Sequence, residues 1–389
     1  MQIKTKILIV SVDFPPHTDG VSTVAHELAS RLSGAGEQII VIGPQAKGAK
    51  EYDSLQKFKV IRTPWYELGY LRLIPILFVM PWVILRYRIK IVIPMNIAYG
   101  GVIAYLFSKI LGFKYAMWAY GYEFGKFERN KFMHKLYLKI YNNALFVAAI
   151  TEFVKERLIK FGVIKEKIIL IKPGTDHQKY YPLKVTDDFR SKYNLLGKKV
   201  ILSVGRLVER KGFDMVIRSM PEIIKAHPDV VYVLVGGGSF RQNLENLTNV
   251  LGVERYLRFA GRVPDEELLK FYNLCDIFVM PSRTLEERGD IEGFGIVYLE
   301  ANACEKPVVG GKSGGVNEAI EDGKTGLLVD PFSKDDVTQA ILKLLLDREL
   351  AKRLGENGRK RVVEELNWQR AVEIFREKLN KVRNDERVR

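Results

Sequence analysis

The chain has 389 residues, 47% of them hydrophobic, which is enough for two domains of ordinary size with separate cores. Its formal net charge of +15 lies mainly in residues 1–173, which hold 25 basic against 12 acidic side chains, and this asymmetry indicates a negatively charged partner. The two cysteines, Cys275 and Cys304, lack metal-ligand spacing, which excludes a disulfide scaffold and is typical of a reduced cytoplasmic protein.

The first half of the sequence predicts a doubly wound α/β domain. A buried strand at Lys6–Val10 leads into a turn-rich loop ending at Gly20, and apolar residues at helical spacing follow. Ligands bind at the first loop of such strand–loop–helix units, and Gly20 would let a phosphate approach the backbone there. Further strands are predicted at residues 38–43, 114–118, 145–150 and 167–171.

Two segments of this half combine apolar and basic residues. Residues 73–85 form an uncharged run of 13 residues, too short to span about 30 Å of hydrocarbon. They predict either a core helix or a surface patch on a membrane, the second because Trp82 and Tyr87 stand beside Arg86 and Arg88. Residues 126–139 predict an amphipathic helix whose basic side chains either face solvent or face a membrane. These basic residues are Lys126, Arg129, Lys131, Lys135 and Lys139.

A Pro-Gly break at residues 173–176 predicts a hinge, and a second alternation of strand, glycine loop and helix follows it. The strands are predicted at residues 199–204, 230–235, 257–260, 276–280 and 306–310. Arg206 and Lys211 lie in the loop after the first of these strands. Two cations at the carboxyl end of a strand could hold a diphosphate.

Residues 292–300 read EGFGIVYLE and predict a loop that leads into a helix beginning at Ile296. Gly293 and Gly295 would let a ligand approach the backbone, and the N–H groups of the first helical turn would favour phosphate oxygens. Glu292 could accept hydrogen bonds from sugar hydroxyls. Glu300, about one to two turns into the helix, could reach a ribose diol.

Four motifs together resemble those of the retaining glycosyltransferases of family four: GRLVERKG at residues 205–212, GRV at 261–263, EGFGIVYLE at 292–300 and SGGVNE at 313–318. The resemblance covers nearly the whole chain. The sequence around the third motif is most similar to that of bacterial GDP-mannose-dependent phosphatidylinositol-mannoside mannosyltransferases.

This resemblance implies the GT-B fold, in which two doubly wound Rossmann-like domains face each other across a cleft. Residues 1–172 would form the acceptor-binding domain and residues 173–365 the nucleotide-sugar-binding domain. Residues 366–389 would form a helix that packs back on the first domain.

The resemblance also implies roles for individual residues. Arg206 and Lys211 would grip the donor diphosphate, while Glu292 would hold the sugar and Glu300 the ribose. The other donor-binding positions are Gly20 in the first domain, Val263 near the base, and Gly293, Phe294, Gly295, Ile296 and Val297 where the third motif enters its helix.

The sequence departs from the family pattern at two places. The usual His-Gly of the N-terminal domain reads Tyr120-Gly121, so a phenol stands where an imidazole would touch the transferred sugar. We include Tyr120 among the candidate catalytic residues. The usual Gly-Gly of the first loop reads Asp19-Gly20, and the Asp19 carboxylate would repel a phosphate unless it points away.

The expected reaction moves a hexose, α-mannose from GDP-mannose, to a membrane lipid acceptor such as a phosphatidylinositol mannoside. Arg206, Lys211 and helix N–H groups would stabilise the leaving diphosphate. No metal or other cofactor is expected, because no DxD motif stands in a suitable loop. The expected partners are a nucleotide sugar, a lipid acceptor and an anionic membrane surface. The protein would then be cytoplasmic and attached peripherally to the inner face of the cell membrane.

Other functions stay open at this point. The same fold could use a UDP-sugar, either glucose or N-acetylglucosamine, for polysaccharide or glycolipid synthesis. A basic nucleic-acid-binding protein or a scaffold is the non-enzyme alternative, although no nucleic-acid signature accompanies the charge and no nucleic acid is expected. A dinucleotide-binding dehydrogenase would need GxGxxG, and the glycines at residues 236–238 lack that spacing.

Overall fold

The computed structural model describes residues 6–17, 19–64, 68–121, 130–285 and 288–387. The chain divides into two compact units: Met1–Pro173 with Trp368–Arg389, and Gly174–Asn367. The boundaries expected from the sequence lie within two residues of these divisions. Both units are parallel α/β structures, so the predicted fold class is confirmed.

The first unit is built on parallel strands whose Val- and Ile-rich segments are buried, as expected for a sheet covered on both faces. These strands are β1 (Lys6–Val10), β2 (Gln38–Pro44), β3 (Lys59–Thr63), β4 (Ile91–Pro94), β5 (Lys114–Tyr115), β6 (Met117–Ala119), β7 (Val147–Ala149) and β8 (Ile168–Leu170). They form sheets of order β3-β2-β1-β4-β5 and β6-β7-β8. Only Ala116 separates β5 from β6, so the strand predicted at residues 114–118 is interrupted rather than continuous.

Six helices connect these strands within the described part of the first unit. They are α1 (Gly20–Gly34), α2 (Ala49–Ser54), α3 (Leu73–Tyr87), α4 (Val102–Leu111), α5 (Lys131–Asn143) and α6 (Glu152–Phe161). Strand β4 was not predicted, because the apolar run that begins in α3 continues through it without a change of period.

Helix α3 buries one face in the core, as the first interpretation of the apolar segment predicts, and exposes apolar side chains on the other face. Ile76, Met80 and Val83 are buried in the core, whereas Phe78 and Trp82 are 70% and 53% exposed. No helix in the described ranges is long and apolar enough to cross a bilayer.

The basic helix α5 begins later than predicted. Asn130 caps it by accepting hydrogen bonds from the N–H groups of Phe132 and Met133, at 3.0 and 3.2 Å. Lys126 and Arg129 lie outside the described residues. Lys131, Lys135 and Lys139 are all exposed on this helix.

The second unit holds one six-stranded parallel sheet of β9 (Lys199–Val204), β10 (Val230–Val235), β11 (Leu257–Gly261), β12 (Ile277–Met280), β13 (Val308–Gly311) and β14 (Leu327–Val329). Its helices are α7 (Asp187–Lys192), α8 (Phe213–Ala226), α9 (Arg241–Leu251), α10 (Asp265–Leu274), α11 (Ile296–Ala303), α12 (Val316–Ala319), α13 (Lys334–Leu346) and α14 (Arg348–Glu364). The order β11-β10-β9-β12-β13-β14 reverses direction between β9 and β12. Ligands of doubly wound folds bind outside the strand ends at such a reversal.

The last helix, α15 (Trp368–Arg387), belongs to the first unit. Phe375 is fully buried, with its ring centroid 5.5 Å from that of Trp118 and 5.2 Å from that of Phe146. Arg383 pairs with Glu37 at 2.9 Å. The C-terminal helix therefore forms part of the hydrophobic core of the first unit.

Candidate functional site

The candidate site of the second unit lies where β9 and β12 end side by side. The two strands pair in parallel, with Ile201 opposite Ile277 and Leu202 opposite Phe278. The segment after β9 carries Arg206 and Lys211, and the segment after β12 leads through Glu292 into α11. The topology therefore brings together residues that lie some 80 positions apart in the sequence.

Glycines make the close approach of these segments possible. Gly212 has φ +73°, and a Cβ there would collide with the carbonyl oxygen of Pro281 at the end of β12. Gly295 has φ +89°, and a Cβ there would collide with the ring of Tyr298. A larger residue at Gly212 would push the two segments apart, and one at Gly295 would displace the Tyr298 ring at the start of α11.

Helix α11 begins at Ile296, as predicted, directly after Gly295. The first N–H groups of any α-helix have no partner inside the helix and carry partial positive charge. Gly293, Phe294 and Val297 flank this helix start, with Phe294 buried and the other two partly exposed.

A buried group of ion pairs surrounds Glu292, which is 7% exposed. Its Oε2 accepts from Lys211 Nζ at 2.7 Å and from a guanidinium N–H of Arg210. Arg210 Nε also pairs with Asp290 Oδ1 at 2.7 Å. The Glu292 carbonyl accepts a hydrogen bond from the Gly315 N–H at 3.0 Å. Both the backbone and the side chain of Glu292 are therefore held in place.

The ionisation of Glu292 follows from these contacts. Burial acts to raise the pKa of Glu292, but the charges of Lys211 and Arg210 outweigh it and hold the pKa at about 2. Burial lowers the pKa of Lys211, and the Glu292 carboxylate opposes that change. Glu292 is thus an anion over the whole physiological pH range.

Glu300 lies in a different environment, next to two tyrosines. The Tyr272 hydroxyl donates to Glu300 Oε2 at 2.6 Å, and Tyr180 also lies against this carboxylate. Burial raises the pKa of Glu300 above its ordinary value, although these phenols oppose the increase. Burial also raises the pKa of both tyrosines, so they stay protonated and act as donors.

Arg206 and Val263 complete the candidates in this unit. Arg206 is exposed, and within the described ranges its guanidinium has no hydrogen bond or ion pair. It is thus available to a ligand. Val263 is partly exposed in the turn between β11 and α10. This turn is tied to the end of β10 by the Gly236 N–H, which donates to the Gly261 carbonyl at 2.7 Å.

Gly20 and Tyr120 belong to the first unit, whereas the other candidate residues belong to the second. Gly20 is the first residue of α1, and Asp19 Oδ1 accepts from the Ser22 N–H at 2.9 Å. The Asp19 carboxylate therefore caps α1 and stabilises its N-terminus. Tyr120 directly follows β6 and is 6% exposed.

Four residues at the site were not singled out from the sequence: Arg210, Asp290, Tyr180 and Tyr272. Arg210 lies inside the GRLVERKG motif, and its position next to Lys211 could have indicated a role at the site. The tyrosines had no such signal, because the fold brings them to Glu300 from distant positions.

Within the described part of the chain, no group of three or more His, Cys, Asp or Glu side chains is placed to hold a metal ion. The charged groups at the strand ends could instead bind a phosphorylated ligand directly, through cations, helix N–H groups and carboxylates that accept from hydroxyls.

Two family models match the chain. Residues 18–179 match Glycosyltransferase Family 4, and residues 185–361 match Glycosyl transferases group 1. Each match falls almost entirely within one of the two units.

Curated relatives match over nearly the full length. The chain is 31% identical to a GDP-mannose-dependent alpha-(1-6)-phosphatidylinositol monomannoside mannosyltransferase of Mycolicibacterium smegmatis, covering 93% of this chain and 94% of the relative. A protein of the same description from Mycobacterium tuberculosis is 29% identical, covering 94% and 95%.

Solved structures share the fold. A sucrose-phosphate synthase from Thermosynechococcus elongatus aligns with TM-score 0.82 and 22% identity, covering 98% of this chain and 100% of that one. Anabaena HepE, in complex with UDP and glucose, aligns with TM-score 0.81 and 20% identity, covering 97% and 100%.

Proposed function

Because the chain belongs to the family 4 glycosyltransferases with the GT-B fold, we propose that it transfers a mannosyl residue from GDP-mannose to a lipid-linked acceptor, such as a phosphatidylinositol mannoside, with retention of configuration. The observation that carries the proposal is the set of charged side chains where β9 and β12 end. The choice of donor and acceptor is supported by the descriptions of relatives that match over nearly the whole chain.

Arg206, Lys211 and the first turn of α11 would bind the donor diphosphate. Arg206 is exposed and has no described side-chain partner, so it can turn to a phosphate without breaking a contact. Lys211 and the first N–H groups of α11 flank the same strand ends. Positive groups already in place would stabilise the charge that develops on the leaving diphosphate, without a metal.

Glu292 and Glu300 would recognise the two sugars of the donor. Glu292 is permanently ionised and rigidly held, which suits an acceptor for the hydroxyls of the transferred hexose. Glu300 is oriented by the Tyr272 hydroxyl and would accept hydrogen bonds from the ribose diol. Val263 would lie near the base.

For the chemical step, we propose attack on the face from which the diphosphate departs. The bond between the anomeric carbon and the diphosphate oxygen breaks, and the acceptor hydroxyl oxygen forms the new bond. The hydroxyl proton passes to an oxygen of the leaving phosphate. Tyr120 and Gly20 would act on the donor from the first unit, the phenol as a hydrogen-bond donor to the sugar.

The lipid acceptor requires access to a membrane, and the first unit offers a suitable surface. Helix α4 packs against both α3 and α5. All three helices expose apolar side chains, with Lys131, Lys135 and Lys139 beside them on α5. The exposed apolar residues are Ile74, Leu77, Phe78, Trp82 and Leu85 on α3, Leu106 and Ile110 on α4, and Phe132 on α5. Apolar side chains beside cations favour the interface of an anionic bilayer, so we propose peripheral attachment to the inner membrane face.

The direct test is an activity screen with the full-length protein. GDP-mannose, UDP-glucose and UDP-N-acetylglucosamine are each incubated with a bacterial lipid extract, and the products are identified by mass spectrometry. We expect GDP release and a lipid carrying one added hexose with GDP-mannose. Transfer from a UDP-sugar alone would contradict the mannosyl assignment, and the absence of transfer from all three would contradict the proposed activity.

A further inference from the structure

Arg210 is a buried cation that bridges two carboxylates of the neighbouring loop. It is 8% exposed and pairs with Asp290 through Nε and with Glu292 through Nη1. Lys211 Nζ contacts the same Glu292 oxygen at 2.7 Å. Two cations therefore share one carboxylate oxygen, and Arg210 holds a second carboxylate as well.

This arrangement creates a competition once a diphosphate binds. The ammonium of Lys211 is a single compact charge, so it cannot neutralise Glu292 and a diphosphate equally well at the same time. If Lys211 turned away and no other cation remained, Glu292 would become an unpaired buried carboxylate, which is strongly unfavourable.

We propose that Arg210 is a positioning residue that keeps Glu292 ionised and in place while Lys211 moves its charge to the donor diphosphate. The proposal rests on the proposed function, because it requires Lys211 and Glu292 to face a nucleotide sugar. It assigns to Arg210 a role that the neighbouring motif residues do not fill.

The geometry explains why an arginine suits this role. The planar guanidinium presents separate N–H groups to two carboxylates at once, which an ammonium on a flexible chain cannot reproduce. The Arg210 carbonyl accepts from the Arg283 N–H at 2.7 Å, so its backbone is fixed to the segment that follows β12. Arg210 would therefore stay in place when Lys211 moves.

The pH dependence of the reaction should depend on the ion pair between Arg210 and Glu292. Among the described residues, Arg210 and Lys211 from the turn after β9 and Tyr298 from α11 face Glu292, and Asp290 from the loop of Glu292 pairs with Arg210. Removing Arg210 leaves burial opposed by one cation instead of two. The Glu292 pKa should then rise, and the acid limb of kcat, a quantity that the nucleotide-binding role of Glu300 does not set, should move to higher pH.

The decisive experiment is a double-mutant cycle with two readouts in the full-length protein. GDP and UDP affinities are measured by calorimetry for the wild type, Arg210→Gln, Glu292→Gln and the double variant. We expect Arg210→Gln to weaken nucleotide binding about tenfold, because Lys211 then stays on Glu292, a size typical of coupled ion-paired neighbours. Adding Glu292→Gln should restore most of that affinity by releasing Lys211, while the sugar transfer that depends on Glu292 stays impaired.

Two further variants separate charge from structure. Arg210→Lys retains the positive charge but lacks the planar guanidinium that contacts two carboxylates. Its nucleotide affinity should therefore lie between those of the wild type and Arg210→Gln. Arg288→Gln is the matched control, since Arg288 pairs with Glu209 at 2.6 Å on the exposed rim of the same loop. It removes one positive charge near the site and should leave nucleotide affinity and the pH profile unchanged.

Two outcomes would overturn the proposal. One is an unchanged acid limb and unchanged nucleotide affinity in Arg210→Gln. The other is a loss of affinity that Glu292→Gln does not restore, because a purely structural role would give that result.

A measurement without nucleotide separates this proposal from the proposed function. If the wild type bound neither GDP nor UDP, the proposed function would fail. Melting temperatures of the same four proteins would still decide whether Arg210 and Glu292 are energetically coupled. Additive changes in melting temperature would show that the two residues do not interact and would refute the proposed contact.

Discussion

At the residue scale, Glu292 and Glu300 have the same chemistry but opposite surroundings. Glu292 is neutralised by Lys211 and Arg210, whereas the phenol of Tyr272 donates a neutral hydrogen bond to Glu300. The pKa of the first is therefore lowered to about 2, and burial raises that of the second. Two carboxylates, one in the loop before α11 and one within α11, can thus serve different parts of one ligand.

The two glutamates should give different phenotypes when neutralised. Glu292→Gln should lower kcat more than nucleotide affinity, because its proposed partner is the transferred sugar. Glu300→Gln should mainly weaken nucleotide binding, because its proposed partner is the ribose. Steady-state kinetics together with GDP titrations distinguish the two, and the reverse pattern would contradict the assignment.

The raised pKa of Glu300 adds a pH dependence to the same assignment. Its carboxylate must be ionised to accept from both ribose hydroxyls, and its pKa lies above the ordinary value of about 4.3. Nucleotide affinity should consequently fall on acidification before an ordinary glutamate would titrate. Glu300→Gln should lack this part of the pH profile.

Arg206 and Lys211 differ in what their removal does to the protein. Arg206→Ala should cost about 2–4 kcal/mol of transition-state stabilisation while leaving the melting temperature nearly unchanged, because its side chain is exposed. Lys211→Ala should reduce turnover similarly and also lower the melting temperature, since it leaves Glu292 with one cation fewer. Near-wild-type turnover of both variants with every nucleotide sugar would refute the diphosphate assignment.

At the element scale, α1 and α3 each show a feature that the sequence left open. Asp19 caps α1 through the Ser22 N–H, so its charge is directed to the helix rather than left free in the loop. Asp19 therefore has a structural role at the start of α1. Helix α3 buries one face and exposes the other, which a run of uniformly apolar letters does not reveal.

The exposed faces of α3 and α5 should govern membrane binding. Each Lys near an anionic surface contributes about 1 kcal/mol, so converting Lys131, Lys135 and Lys139 to Glu should abolish pelleting with phosphatidylglycerol vesicles. Phe78→Ser with Trp82→Ser should weaken it without loss of stability, since both side chains are more than half exposed. Raising the salt concentration should weaken it further, because about 0.1 M salt screens charges beyond about 10 Å.

Co-sedimentation with anionic and neutral vesicles measures these effects. Val250→Ser is the matched control, because Val250 is an 81% exposed apolar residue of the second unit. Wild-type protein that pellets equally with both vesicle types, or with neither, would contradict a membrane role for this surface.

At the scale of the whole molecule, the chain begins and ends in the same unit. Helix α15 contributes Phe375 to a cluster with Trp118 and Phe146, and Arg383 pairs with Glu37 near the start of the chain. Residues separated by more than 200 positions therefore share one core. The last helix therefore contributes buried side chains to the core of the first unit.

Phe375→Ala should destabilise the protein by about 3–5 kcal/mol, as expected for a fully buried aromatic side chain. The adjacent Ile374→Ala should cost much less, because Ile374 is 38% exposed. Chemical denaturation of both variants compares the two effects. Equal losses would indicate that the core contact of α15 contributes little.

The sequence by itself determined the fold class, the start of α11 and most strands, because apolar periodicity and glycine loops are local signals. It also determined the family, since four motifs occur in the right order. It did not separate β4 from the apolar run of α3, and it did not distinguish the buried face of α3 from the exposed one. Only the tertiary structure showed that Arg210 and Lys211 pair with Glu292 and that Tyr272 holds Glu300, because ion pairing and burial depend on neighbours that the chain brings in from distant positions.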